Sequence, residues 1–317
     1  MLTTKDHLII FDTDPGTDDA IALFLLSSYR DSEDLVCVSS FGNMPLSVTN
    51  ANLVKLIDYF GTNCEIVKGS KNSLSKVSPD CGGYHGSDGL GDVCFPSGNL
   101  TIKCEEWDTP ESEDSFVPKV NDLIEQSPNG CTYIAVGPLT NLAKLILSNP
   151  RIANPIDKVL IMGGGFSEFN MPNNTEYNFY CDSKAVDIVL SSDLDLTIFP
   201  LDFTMINYLS EDEIDKLKNH APRNKVVDIL KANYLSARRH GIEGAVIHDA
   251  FPVLYNFFED AFTLETKKIS CDEHGGIFED EKGKSVEVAV SVREDLLFQS
   301  LLETLGKFEQ VRDGDLK

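Results

Sequence analysis

Residues 9–26 read IIFDTDPGTDDAIALFLL, and the fold turns on them. An apolar run ends at Asp12, Pro15 and Gly16 make a turn, and a longer apolar run follows Asp18 and Asp19. The first run has the length and composition of a buried strand and the second those of a helix, which gives a strand–turn–helix unit. Four aspartates (Asp12, Asp14, Asp18, Asp19) fall within eight residues, with nothing basic among them. Like charges so crowded repel, and something must cancel them.

The alternation continues along the chain. LVCVSSF (35–41) reads as a strand and SVTNANLVKLIDYFG (47–61) as a helix stopped by its glycine. TYIAV (132–136) precedes the helical LTNLAKLILSN (139–149), and KVLIMGGG (158–165) precedes a polar loop and SKAVDIVLSS (183–192). LDLTIFPLD (194–202) supplies a further buried strand. Such alternation predicts an α/β fold: an open, mainly parallel, doubly wound sheet with a Rossmann-like core. TKKISCDEHGGIFEDEKGKSVEVAVSV (266–292) adds C-terminal β-hairpin material, and REDLLFQSLLETLGKF (293–308) a terminal helix. No repeat or low-complexity linker divides the 317 residues, so a single domain over 1–317 is expected. The stretch from Ser70 to about Ser115 is irregular and rich in Gly, Ser and Pro, as functional loops often are.

Composition narrows the function classes. Asp and Glu total 51 against 27 Lys and Arg, a net charge of −24. That balance argues against a nucleic-acid polymer or an anionic membrane as partner. No segment approaches the roughly 20 apolar residues of a membrane span, and MLTTKDHLIIFD lacks the pattern of a secretory signal. The eight cysteines are scattered with no CxxC pair, which points to a reducing, cytoplasmic setting.

In an open parallel sheet, ligands bind beyond the C-terminal ends of the strands. The residues there are Asp12–Asp19, Phe41–Asn43, Gly137–Thr140, Gly163 onward and Asp202. Thr17 can cap the helix that follows, and Asp18 and Asp19 in its first turn are favoured by its positive end. Capping does not explain Asp12 and Asp14, which enter a buried layer. Carboxylates buried together need a counter-charge, and all-oxygen ligands point to Ca²⁺ or Mg²⁺. Asp249, beside His248 in AVIHDAFPVLYNFF (245–258), reads equally as a helix cap or a site residue. Asn170, Asn173, Asn174, Glu176 and Asn178 follow the GGG at 163–165; they suit either a polar surface loop or the hydrogen bonding of sugar hydroxyls. DTDPG also approaches the DxDx(T/V) motif of haloacid-dehalogenase-type phosphatases, but Gly16 stands where that motif has Thr or Val, and the strand-end loops offer almost no Lys or Arg.

The ordered set DTDPGTDDAIAL (12–23), FGN (41–43), HGSDGLGD (85–92), VGPLTNLA (136–143), LIMGGGF (160–166), EYNFYCD (176–182) and HD (248–249) resembles the nucleoside hydrolase family, the inosine–uridine-preferring N-ribohydrolases. The resemblance covers nearly the whole chain. It implies Ca²⁺-dependent hydrolysis of the N-glycosidic bond of ribonucleosides by a homodimer or homotetramer. By that resemblance Asp14, Asp19, Asp249 and the main-chain carbonyl of Val136 hold Ca²⁺, and Asp14 is also the general base. Asp18 and Asn178, with Asp249, hold the 2′- and 3′-hydroxyls; Asn170 and Glu176 hold the 5′-side. Asn43 supports the metal and substrate shell, Asp12 supports the carboxylates from behind, and His248 assists departure of the base. His85 belongs to the substrate site and its loop is expected to fold over it. Upstream of His248, Tyr234 is the nearby aromatic, while Ser236 and His240 occupy places where base-contacting groups are expected. A non-catalytic nucleoside-binding protein on the same fold, or a Mg²⁺-dependent phosphohydrolase, are the competing readings.

Overall fold

The computed structural model describes residues 7–29, 35–76, 83–96 and 114–314. Its strands are β1 (Leu8–Thr13), β2 (Leu35–Ser39), β3 (Glu65–Lys68), β4 (Cys131–Ala135), β5 (Ile156–Met162), β6 (Leu196–Phe199), β7 (Phe262–Cys271), β8 (Ile277–Glu279) and β9 (Lys284–Val292). Its helices are α1 (Thr17–Tyr29), α2 (Leu46–Phe60), α3 (Phe116–Glu125), α4 (Thr140–Ser148), α5 (Tyr177–Cys181), α6 (Ser183–Leu190), α7 (Leu201–Thr204), α8 (Glu211–His220), α9 (Lys225–Arg239), α10 (Ala250–Phe257) and α11 (Leu296–Gly314). A short 3₁₀ turn, Glu259–Ala261, leads into β7.

All nine strands form one sheet in the order β3-β2-β1-β4-β5-β6-β9-β7-β8. Strands β1 to β6 and β9 pair in parallel, whereas β7 runs antiparallel to both β9 and β8. The expected C-terminal hairpin therefore does more than decorate the fold. Its second long strand, β9, enters the main sheet beside β6.

Strand β1 shows why the sheet is wound on both faces. Ile9 and Phe11 pack into one apolar cluster with residues of α1, α2, α9, α10 and α11, while Leu8 and Ile10 pack into another with residues of α3, α4 and α6. Side chains alternate along a strand, so burial on both faces requires an almost wholly apolar run, which LIIF provides. Crossovers turn one way from β1 to β2 and β3 and the other way to β4, β5 and β6. The crevice between the C-terminal ends of β1 and β4 is thus the topological switch point, where doubly wound sheets bind ligands.

Local chemistry sets the boundaries. Gly61 ends α2 in the left-handed region (φ 68), its N–H closing on Asp58 and Ile57 carbonyls, as its position in the sequence predicts. Between 70 and 115 the described residues contain no helix or strand; residues 77–82 and 97–113 of that expected loop lie outside the described set. Asp182 holds part of this loop down. Its carboxylate accepts from Leu74 and Ser75 backbone N–H (2.7 and 3.0 Å), the Ser75 and Thr140 hydroxyls (2.9 and 2.6 Å), and Ala185 N–H at the start of α6 (3.3 Å). Replacement of this buried hub, Asp182→Ala, removes a helix cap and orphans several donors. Urea unfolding of that variant shows a loss of about 2–4 kcal/mol.

Candidate active site

The site grows from the turn between β1 and α1. Asp19, on the first turn of α1, sends its carboxylate back to the N–H groups of Gly16 (2.8 Å) and Asp14 (3.2 Å) and to the Thr13 hydroxyl (2.5 Å). This is the return half of a capping box. Asp19, and not Thr17, therefore closes the helix start. The Thr17 hydroxyl is occupied elsewhere: it lies 3.0 Å from His85 Nδ1 and accepts from Asn233 Nδ2 at 3.0 Å.

Asp14 is wholly buried. Its Oδ2 accepts the Asn43 N–H at 2.6 Å, and the Asn43 amide donates to the Asp14 carbonyl (3.2 Å) and to Asp19 Oδ2 (3.1 Å). The backbone of residue 137 closes so tightly over this carboxylate that a Cβ there would stand 2.5 Å from Asp14 Oδ1, which only glycine avoids. Behind it, Asp12 accepts from the Tyr133 hydroxyl (2.7 Å) and Asn141 Nδ2 (2.8 Å). Those bonds favour ionisation, yet burial prevails and raises Asp12 to about 7.

Asp18, Asp19 and Asp249 form the tightest acidic group: each offers an oxygen within 4.8 Å of the other two, and all three are buried. Asp14 stands beside this trio. Burial first, then the charges of Asp19, Asp18 and Asp12, push its carboxyl well above the usual range. Asp249 is driven well up by burial and by Asp18, Asp19 and Asp14, and burial lifts Asp18 to about 6. Asp249 begins α10 without making a capping bond, so the helix-cap reading of it fails and its carboxylate faces the other acids. Asp14 Oδ1 and Asp18 Oδ1 are buried without a hydrogen-bond partner. Among the described residues no Lys or Arg pairs with this group; His85 Nδ1 lies 3.8 Å from Asp18 Oδ1, beyond hydrogen-bond reach. Orphaned acceptors, crowded oxygens and no fixed cation together suit a hard divalent metal.

A cavity of about 500 Å³ opens beside the trio, lined among others by Asp18, Asn43, His85, Val136, Asn170, Glu176, Asn178, His248 and Asp249. Its size is that of a small-molecule site. The Val136 carbonyl accepts Asn178 Nδ2 at 3.0 Å, as does the Met162 carbonyl at 3.3 Å, which leaves the Asn178 oxygen as the amide atom for a ligand. Glu176 starts α5 and accepts from Asn178, Gly164 and Phe179 N–H (2.9, 3.0 and 3.2 Å); burial still raises it to about 7. His85 Nδ1 accepts the Thr17 N–H at 3.1 Å, so its proton sits on Nε2. His248 Nδ1 lies 2.7 Å from the Thr204 hydroxyl. Burial lowers both imidazoles to about 4, which keeps them neutral at ordinary pH.

Other expected residues go elsewhere. Asn173 and Asn174, at φ 62 and 56, form a tight turn between the bridged Met171 and Thr175 and do not line the cavity. Asp202 pins the 163–167 loop through Phe166 N–H, Ser167 N–H and the Ser167 hydroxyl. Tyr234 turns away from the cavity and donates to Glu211 at 2.9 Å. The cavity instead takes in Tyr84, Met162, Phe169, Tyr177 and Met205, which motif reading passed over. Tyr84 adjoins His85, and that adjacency was the available signal. Among the described cavity-lining residues there is no Lys or Arg to receive a phosphate, which adds to the case against a phosphohydrolase.

A family model described as "Inosine-uridine preferring nucleoside hydrolase" matches residues 9–299. The chain belongs to that family. It is 28% identical to uridine nucleosidase 1 of Arabidopsis thaliana, over 86% of this chain and 80% of that protein. It is also 28% identical to the non-specific ribonucleoside hydrolase RihC of Salmonella typhimurium, over 86% of each. Among solved structures, a purine-preferring ribonucleoside hydrolase from Gardnerella vaginalis superposes with a TM-score of 0.82, at 22% identity, over 96% of this chain and 99% of that one. Its likeness shows that the fold is shared. Among the described residues no helix is long and apolar enough to cross a membrane.

The raised carboxylates give the metal-free protein an unusual pH response. Asp12, Asp14, Asp18, Asp19, Asp249 and Glu176 bind protons more tightly folded than unfolded, so stability falls as pH climbs from about 4 to about 7. His85 and His248, lowered to about 4, act in the opposite sense but are two against six. Thermal unfolding in chelator therefore gives a higher Tm near pH 5 than near pH 7.5.

Proposed function

We propose that this protein hydrolyses the N-glycosidic bond of ribonucleosides of the uridine/inosine type, giving free base and ribose, and that it depends on Ca²⁺. The observation carrying this reading is the set of buried, uncompensated carboxylates at the switch point, opening into a cavity of nucleoside size. Asp14, Asp19, Asp249 and the Val136 carbonyl would hold the cation. Support comes from the orphaned Asp14 Oδ1, the crowding of Asp19 and Asp249, and the all-oxygen donor set. When bound, the cation supplies Lewis acidity toward an attacking water.

Asp14 accepts the proton of that water; its raised affinity for protons suits a general base. The water oxygen bonds to C1′ while the C1′–N electron pair leaves with the base, through an oxocarbenium-like transition state. Asp18, Asn178 and Asp249 hold the 2′- and 3′-hydroxyls, and Asn170 and Glu176 the 5′-side. Asn43 and Asp12 keep the carboxylates in position, the former by direct hydrogen bonds and the latter through the β1 strand end. Carboxylates around the ribose favour its developing positive charge. His248, oriented by Thr204, offers a hydrogen bond to the departing base, and His85 lines the same cavity. We further propose one domain over 1–317, a homodimer or homotetramer, and a cytoplasmic location, the last supported by free cysteines such as Cys37, Cys131 and Cys181.

A panel of purine and pyrimidine ribonucleosides assayed for free ribose tests the reading. Uridine or inosine releases ribose, exhaustive calcium removal abolishes turnover, and calcium restores it. Asp14→Ala lowers kcat by about 10³-fold or more, since base and ligand are lost together. Full turnover after calcium removal would rule out the metal-dependent mechanism.

A further inference from the structure

We propose that Tyr84 is a second group, besides His248, that hydrogen-bonds the departing base, donating its phenolic hydrogen to an acceptor atom of the heterocycle. This deepens the reading above and rests on it. Tyr84 lines the cavity, and its hydroxyl oxygen is buried without a hydrogen-bond partner. A buried hydroxyl left unpaired is destabilising, and a ligand acceptor removes that penalty.

The ring is held from two sides. It meets His85 edge-on with centroids 5.1 Å apart, and it packs against His240 at 5.2 Å with a 46° tilt. The Ser236 hydroxyl donates to the Tyr84 carbonyl at 2.6 Å, tying the 83–96 segment to α9, and His240 Nδ1 donates to the Ser236 carbonyl at 2.9 Å. Ser236 and His240 thus position Tyr84.

The chemistry of this wall separates base from sugar. Ribose is a polyol with no aromatic face, and it suits Asp18, Asn178 and Asp249. A planar heterocycle suits aromatic and apolar neighbours with a few fixed polar atoms. Tyr84, His240, Leu201, Met205 and Ile242 provide such surroundings. Burial and the nearby Asp18 charge push the Tyr84 phenol upward, so it stays a donor across the working pH range. Electron density that reaches the base as the C1′–N bond breaks strengthens the acceptor, so the bond is stronger in the transition state than in the ground state. No proton is transferred by Tyr84.

The test is Tyr84→Phe, which keeps the ring and its packing. For uridine and inosine, kcat falls about 10–100-fold with KM little changed, the loss expected for one hydrogen bond to a charged group. For p-nitrophenyl β-D-ribofuranoside, whose phenolate leaves without a heterocyclic acceptor, kcat stays within about threefold. The Tm of the variant is unchanged or higher, because an orphaned hydroxyl has been removed. Equal losses on both kinds of substrate, or no loss on either nucleoside, overturn the assignment of Tyr84 and leave the hydrolase reading intact. A wild-type protein that cleaves neither kind of substrate overturns both.

Discussion

Mutual repulsion among buried carboxylates is the constraint around which this molecule is organised. Asp12, Asp14, Asp18, Asp19 and Asp249 are all at most 6% exposed, and no described Lys or Arg answers them. Hydrogen bonds absorb part of the cost. Tyr133 and Asn141 serve Asp12, backbone N–H groups serve Asp19, and Asn43 bridges Asp14 to Asp19. Two oxygens remain without partners, and they belong to Asp14 and Asp18. A fold does not keep such groups dry for stability alone, because protonation or repulsion would be the cheaper outcome. Their persistence is the observation on which the proposed cation site rests.

The same constraint accounts for the surrounding architecture. Backbone must approach Asp14 closely, so Gly137 carries no side chain. The sheet must present strand ends from both winding directions, so the acids sit where β1 and β4 diverge. Among the described lining residues there is no Lys or Arg: amides, the imidazoles of His85, His240 and His248, the carboxylates of Glu168 and Glu176, and aromatic and apolar side chains make up the rest of the cavity. Acid–base behaviour and stability are consequently coupled through one cluster.

Much of this was legible in the sequence for local reasons. LIIF followed by DTDPGTDD carries its own strand, turn and helix signals, since a two-faced apolar run and a Pro–Gly turn are decided by nearest neighbours. Other elements were not legible. The four-residue β3 is too short to carry a periodic signal, and the entry of β9 into the parallel sheet depends on pairing with a strand some ninety residues earlier. In the site, Asn141 was hidden inside a helical pattern, and Tyr234 drew attention to the wrong aromatic because helix rotation is fixed by packing.

What the sequence determined by itself is the chemical inventory: four aspartates at a strand–helix turn, an HD pair, and amides after a triple glycine, each placed by local chain stiffness and turn chemistry. What tertiary structure alone decided is which of these meet. Asp249 joins Asp18 and Asp19 across more than two hundred residues, Asp202 is diverted to a loop, and Tyr84 enters the cavity with its hydroxyl unpaired. The physical reason is that long-range proximity follows from sheet order and from burial on both faces. Those are properties of the whole packed chain, and no single segment encodes them.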